Sequence, residues 1–230
     1  MQFTIAHSPT FSTLEARFAA SEVLQVQPGS MLAMSTGFEL RARLGGHVGG
    51  RSRGGRALKS MLAGESAFAS VYTAMRDDQW LLLAPEALGE IVELDVSEGR
   101  QYYLARGAWL ASSASVQLRV EYAGVRGWMA TSGLFFLRTA GQGAVFVASY
   151  GALVKRQLAA DERVVLDNRC IVAFSDSVRF ETVKVAKGLG TSFLAGEGLA
   201  NRFTGPGELI HQTRQRPAGG ILRGILDVAT

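Results

Sequence analysis

Pro28-Gly29-Ser30-Met31-Leu32-Ala33-Met34-Ser35 has two relatives in the same chain, Arg106-Gly107-Ala108-Trp109-Leu110-Ala111-Ser112-Ser113 and Asn168-Arg169-Cys170-Ile171-Val172-Ala173-Phe174-Ser175. Extended without a gap, the three become residues 13 to 40, 91 to 118 and 153 to 180. A fixed internal period decides architecture more firmly than local propensity does. Nine columns are apolar in all three copies, those headed by Leu14, Phe18, Leu24, Val26, Met31, Leu32, Ala33, Phe38 and Leu40. At the chain's overall apolar content, chance gives roughly three such columns. Columns Leu24 and Val26 are two apart, as are Phe38 and Leu40, while Glu15, Arg17 and Glu39 head columns that are polar in every copy. Period two is the signature of a strand with one buried face.

Around this core the chain reads as three β units, about residues 1–85, 86–150 and 151–214, in one domain spanning 1–216. Turns are expected at Gly29, Gly107 and the matching Arg169. A second block follows each first one: Leu62 to Phe68, Ala130 to Phe136 and Leu194 to Ala200. Units this small cannot bury enough surface alone, so they are expected to share a core and to pair their exposed strand edges. The tail 217–230 places Ile221, Leu222, Ile225, Leu226 and Val228 at helical spacing, predicting a short helix that docks on the body or on another subunit.

Composition agrees with a globular chain. Of 230 residues 47% are hydrophobic and 19% charged, too apolar for disorder. Twenty-seven glycines against five prolines, without a Gly-X-Y period, predict many tight turns. Cys170 is the sole cysteine, which excludes an internal disulfide and a thiolate cluster and fits a reducing, cytoplasmic setting. Its apolar neighbours predict a buried small hydrophobe. No run reaches the ~18 apolar residues of a membrane span, and Met1 to His7 lack the basic and apolar regions of a secretory leader, so no integral membrane association is expected.

The motifs Pro28 to Met34, the glycine-rich stretch 45 to 55, Leu62 to Phe68, and Gly196 to Leu199 leading to Gly205-Pro206-Gly207 and Gln212-Thr213-Arg214 carry a family resemblance over about residues 1 to 216. Together they resemble the small bacterial proteins grouped with a fungal mitochondrial-biogenesis protein named for altered inheritance of mitochondria. The resemblance implies an all-β fold. It would be a short double-stranded β-helix like that of the tryptophan-activated RNA-binding attenuator protein, occurring three times as a pseudo-trimer. It implies no activity, and no tryptophan-binding or RNA-contacting position aligns. Thr131-Ser132-Gly133 departs from the Gly-Glu-Ser and Gly-Glu-Gly of the other copies.

Residues 41 to 60 hold six basic side chains, Arg41, Arg43, Arg51, Arg53, Arg56 and Lys59, and no acidic one. The rest of the chain carries 18 basic against 20 acidic residues, so the net charge of +4 is local to this segment. Glycine exposes backbone N–H groups and arginine offers bidentate contacts to phosphate. Arg51, Arg53, Arg56, Lys59 and His47 are therefore the candidates for a polyanion or nucleic-acid partner. Gly45 to Ser52 matches a phosphate-binding loop except for arginine in place of lysine, but that motif must open a helix in an α/β fold, so nucleotide hydrolysis is not expected. Glu65 and Glu197 occupy matching positions and are expected to serve turns or contacts between units. His7, His47 and His211 are isolated, and no nucleophile elbow is present, so neither a metal, a cofactor nor an enzymatic activity is expected. The expectation is a non-enzymatic binding or assembly scaffold, homo-oligomeric, whose small-molecule ligand, if it has one, is unknown.

Overall fold

The computed structural model describes residues 1–44, 68–105, 107–122, 135–184 and 199–215. They form an all-β chain, as the period-two spacing predicts, and its strands lie in several antiparallel sheets. The basic segment beyond Leu44, most of each second block and the tail 217–230 with its expected helix lie outside the described residues.

After β1 (Gln2–Ala6) the strands fall into three sets of six. The first comprises β2 (Thr13–Phe18), β3 (Val23–Val26), β4 (Met31–Met34), β5 (Phe38–Leu44), β6 (Phe68–Ala74) and β7 (Gln79–Leu83). The second comprises β8 (Ile91–Val96), β9 (Tyr102–Ala105), β10 (Trp109–Ser113), β11 (Val116–Tyr122), β12 (Phe135–Gly141) and β13 (Gly143–Ala148). The third comprises β14 (Leu153–Leu158), β15 (Arg163–Asp167), β16 (Ile171–Ser175), β17 (Arg179–Lys184), β18 (Leu199–Thr204) and β19 (Gly207–Gln212). In the first set β7 pairs with β2 and β4, and β6 with β3 and β5. The second set pairs β13 with β8 and β10, and β12 with β9 and β11. The third pairs β19 with β14 and β16, and β18 with β15 and β17.

Two further pairings join sets. β3 pairs with β10, placing Val26 opposite Ala111, Gln25 opposite Ser112 and Leu24 opposite Ser113. β9 pairs with β16 in the corresponding register, Leu104 opposite Ala173, Tyr103 opposite Phe174 and Tyr102 opposite Ser175. The sheets that result are β1-β2-β7-β4, β5-β6-β3-β10-β13-β8, β11-β12-β9-β16-β19-β14 and β15-β18-β17.

Local chemistry explains the corners. The third strand of each set shifts register once, between Met31 and Ala33, Trp109 and Ala111, and Ile171 and Ala173. Two residues past each shift, where the ladder ends, the hydroxyls of Ser35, Ser113 and Ser175 accept from the backbone N–H of Trp80 (3.1 Å), Ala144 (3.1 Å) and Glu208 (2.9 Å). Gly143 and Gly207, at φ +137° and +143°, lie against those hydroxyls; a Cβ would come within 2.8 Å of the Ser113 side chain and 2.4 Å of Ser175 Oγ. Gly29 and Gly107 turn with left-handed backbone, φ +84° and +69°. Arg169 solves the same turn differently, within a 3-10 turn over Asn168–Cys170 whose Asp167 carboxylate accepts from the Arg169 N–H at 2.7 Å.

Alternating side chains fill two cores. One gathers Leu14, Phe18, Leu24, Val26 and Leu81 with Leu110, Ala111 and Phe146, so that it is shared between the first and second sets. The other joins the second and third sets through Leu104, Trp109, Phe136, Ile171, Phe174 and Phe203. Trp80 is only half-buried. So is Cys170, contrary to the expectation of a buried small hydrophobe, because its place in the exposed 3-10 turn outweighs its apolar neighbours.

Candidate interaction surface

The anion-binding candidates Arg51, Arg53, Arg56, Lys59 and His47, and the paired glutamates Glu65 and Glu197, lie outside the described residues. Of the basic segment, Arg41 on β5 is described, and its guanidinium pairs with Glu39 at 2.7 Å, two residues away on the same strand face. The two described histidines stand apart. His7 Nδ1 contacts Thr13 Oγ1 at 3.1 Å, and His211 sits in β19 opposite Val154. Among the described residues no group of three His, Cys, Asp or Glu could hold a metal ion. Burial, with the Asp167 carboxylate adding to it, pushes the Cys170 thiol up, away from a nucleophilic thiolate.

What the strands do bring together is a set of seams. At β3–β10 the Gln25 side-chain amide donates to the carbonyls of Ser113 (3.1 Å) and Val116 (3.0 Å). At β9–β16 the Tyr103 ring stacks on Phe174 at 5.1 Å. The Arg138 guanidinium lies 5.6 Å from that tyrosine ring and reaches Asp176 across the seam at 3.6 Å. Beside it Arg100 donates to the Tyr102 hydroxyl, which donates to Glu208 of the third set, each at 2.9 Å. Burial raises the Tyr102 hydroxyl above its ordinary 10.0, Arg100 opposing and Glu208 reinforcing. The phenol is thus held as a neutral donor and acceptor between a cation and an anion.

Each seam joins the second strand of one set to the third strand of the next. Two strands of those kinds, β4 of the first set and β15 of the third, stand at the outer edges of their sheets with no strand partner on the outer side among the described residues. Their side chains record it. Leu32 on β4 is 57% exposed, whereas its counterparts Leu110 and Val172 are at 0%. Met31 and Met34 are also exposed, and on β15 Val165 is 51% exposed. Fully burying a side chain of this size is worth about 1.5–3 kcal/mol, and an apolar sheet edge is a template for pairing. The sequence patterning did not separate these edges, because their residues are as apolar as those of the filled seams.

Close to the β15 edge, Arg163, Arg179, Phe180, Glu181, Arg202 and Thr204 line an open cleft of about 440 Å³. Arg179 pairs with Asp161 at 3.1 Å and Arg202 with Glu181 at 2.9 Å. Most of its cationic charge is therefore balanced locally.

The profile of a protein family described as mitochondrial biogenesis AIM24 matches residues 3–214. The chain belongs to the AIM24 family. A similar relative is an uncharacterised protein of Streptococcus pyogenes serotype M6, 33% identical over 217 residues that cover 93% of this chain and 86% of that protein. The crystal structure of a Streptococcus pyogenes protein is similar at a TM-score of 0.74 and 28% identity, covering 99% of this chain and 97% of the other. The family match and the structural likeness both extend over nearly the whole chain. No helix among the described residues is long and apolar enough to cross a membrane.

Proposed function

We propose that this AIM24-family chain is a non-enzymatic, cytoplasmic scaffold that acts by self-assembly or by holding a partner. In this reading it consists of three pseudo-repeats of a short double-stranded β-helix packed as a pseudo-trimer whose third seam, between β15 and β4, is left open within the chain. The single observation that carries the reading is the pair of apolar sheet edges at β4 and β15, unpaired among the described residues, where strands of the same kind elsewhere in the chain are paired. Two further observations support it. The same internal pairing scheme occurs in three strand sets, and the matching serines are engaged by backbone N–H groups rather than aimed at a common point. A scaffold of this kind supplies surfaces rather than chemistry. Light scattering of the full chain across a wide concentration range tests it. Defined multiples of the chain mass support the reading through self-assembly; a monomer throughout overturns it.

A second reading takes residues 41 to 60 as the binding element, favoured by the concentration of basic residues there. Oligonucleotide affinity would then fall steeply with salt and be lost in the triple variant Arg51→Ala, Arg53→Ala, Arg56→Ala. Binding unchanged by that variant would overturn it.

A further inference from the structure

We infer that β4 of one copy pairs antiparallel with β15 of a second copy, with Ala33 opposite Leu166, Met34 opposite Val165 and Ser35 opposite Val164. This rests on the assembly reading above and names its surface. The register follows from the filled seams. Ala111 faces Val26 and Ala173 faces Leu104, while Ser112 faces Gln25 and Phe174 faces Tyr103. Carrying those columns to the remaining strands gives the three pairs above.

Burial supports the same assignment from both sides. Leu110 and Val172 are fully buried beside filled seams, and their counterpart Leu32 is 57% exposed beside an empty one. On the opposite strand, Gln25 is buried, Tyr103 is half-buried, and Val165 is 51% exposed. Met34 against Val165 makes an apolar cross-strand pair where the filled seams use a hydrogen-bonded glutamine and a stacked aromatic pair. A second copy is the occupant that continues an interface already present twice in the chain, and it brings both edges in equal number. Within one chain β4 and β15 are edges of two different sheets and do not pair with each other among the described residues.

The contact is heterologous, since each copy offers β4 to one neighbour and β15 to the other. Such contacts form rings where the rotation closes and filaments where it does not. The electrostatics of this seam differ from those of β9–β16. Arg202 occupies the position of Arg138, but Thr36 stands where Asp176 would receive it, and Arg202 is paired with Glu181 in its own sheet. Association through an apolar seam without a cross-seam ion pair is expected to persist at high salt.

Cysteine pairing tests the register. In a Cys170→Ala background, chains carrying Met34→Cys are mixed with size-tagged chains carrying Val165→Cys and oxidised mildly. Directly opposed strand positions lie within disulfide reach. The expected result is a covalent hetero-pair from the mixture, little from either variant alone, and a ladder of multimers from the double variant. A double variant that cross-links only within the monomer overturns the proposal, because the edges then close on each other in one chain. Multimers by light scattering without cross-links overturn it too, leaving assembly through another surface. A monomer without cross-links removes both the proposal and self-assembly. As an independent readout, Leu32→Lys is expected to weaken self-association about tenfold or more, the scale of one lost apolar contact, with urea unfolding of the dilute protein unchanged. Unaltered association in that variant overturns the proposal.

Discussion

The filled seam at β3–β10 and the open edge at β4 are built from nearly the same sequence, yet one is core and the other is surface. Leu110 and Ala111 are buried because β3 and its neighbours lie against them; Met31 and Leu32 have the same apolar character and remain exposed. Burial here is therefore set by whether a neighbouring strand set is present, not by the residues of the strand itself. The largest expected effect breaks this comparison directly. Leu110→Ala should cost about 2–5 kcal/mol of unfolding free energy, as for a buried leucine truncated in a close-packed core. Leu32→Ala, measured at a concentration where the chain is monomeric, should cost less than about 1 kcal/mol, as surface substitutions do. Equal losses in urea titrations would mean that the β4 edge is covered in the monomer.

Next in size are the three serines that take up N–H groups at the ladder ends. Ser35→Ala, Ser113→Ala and Ser175→Ala each remove the acceptor for one backbone N–H, and each should cost about 1–3 kcal/mol, the penalty of leaving such a group unsatisfied. The comparison sharpens if Ser35 costs least. Its strand lies on the open edge, where water can replace the lost acceptor, whereas Ser113 and Ser175 end strands that are paired on both sides.

Those serines also mark what was legible in the sequence and what was not. The period of two at Leu24 and Val26 and the three aligned copies were enough for β structure, because one buried face per strand leaves a direct imprint on side-chain type. The alanine and serine columns ending at Ser35, Ser113 and Ser175 were visible, but their use was not. A bulge is a backbone event, and a small residue beside a hydroxyl is compatible with many others. The open edges were illegible for a different reason. Apolar residues say that burial is favourable, and they do not say whether the partner lies in the same chain. The basic segment, the most conspicuous feature of the sequence, is described only as far as Leu44, where Arg41 is already paired with Glu39.

A smaller effect should appear at high pH, and part of it should belong to the β9–β16 seam. Tyr102 and Tyr103 both have hydroxyls raised above 10.0, chiefly by burial. An unfolded tyrosine loses its proton near its ordinary value and the folded one later, so the folded state holds more protons in between. Their contribution to stability is complete below about pH 10 and is lost as pH rises through the folded values. Unfolding free energy should thus decline above pH 10, and the decline should be shallower in Tyr102→Phe. An unchanged slope would show that the seam does not sense this hydroxyl.

The smallest expected difference lies between two matching arginines. Arg138 reaches Glu121 at 3.5 Å within its sheet and Asp176 at 3.6 Å across the filled seam, and it also covers the Tyr103 ring. Arg202 has Glu181 in its own sheet. All these groups are partly solvated, so each ion pair contributes at most about 1 kcal/mol and is screened by salt. Arg138→Gln should therefore destabilise the monomer by about 0.5–1 kcal/mol at low salt and Arg202→Gln by less, and the gap should narrow in high salt. The ring contact of Arg138 is less sensitive to ions than its carboxylate contacts, so part of its excess should survive. If Arg202→Gln proves the costlier in the monomer, Arg202 has a cross-seam partner within one chain, and the edge at β15 is not open.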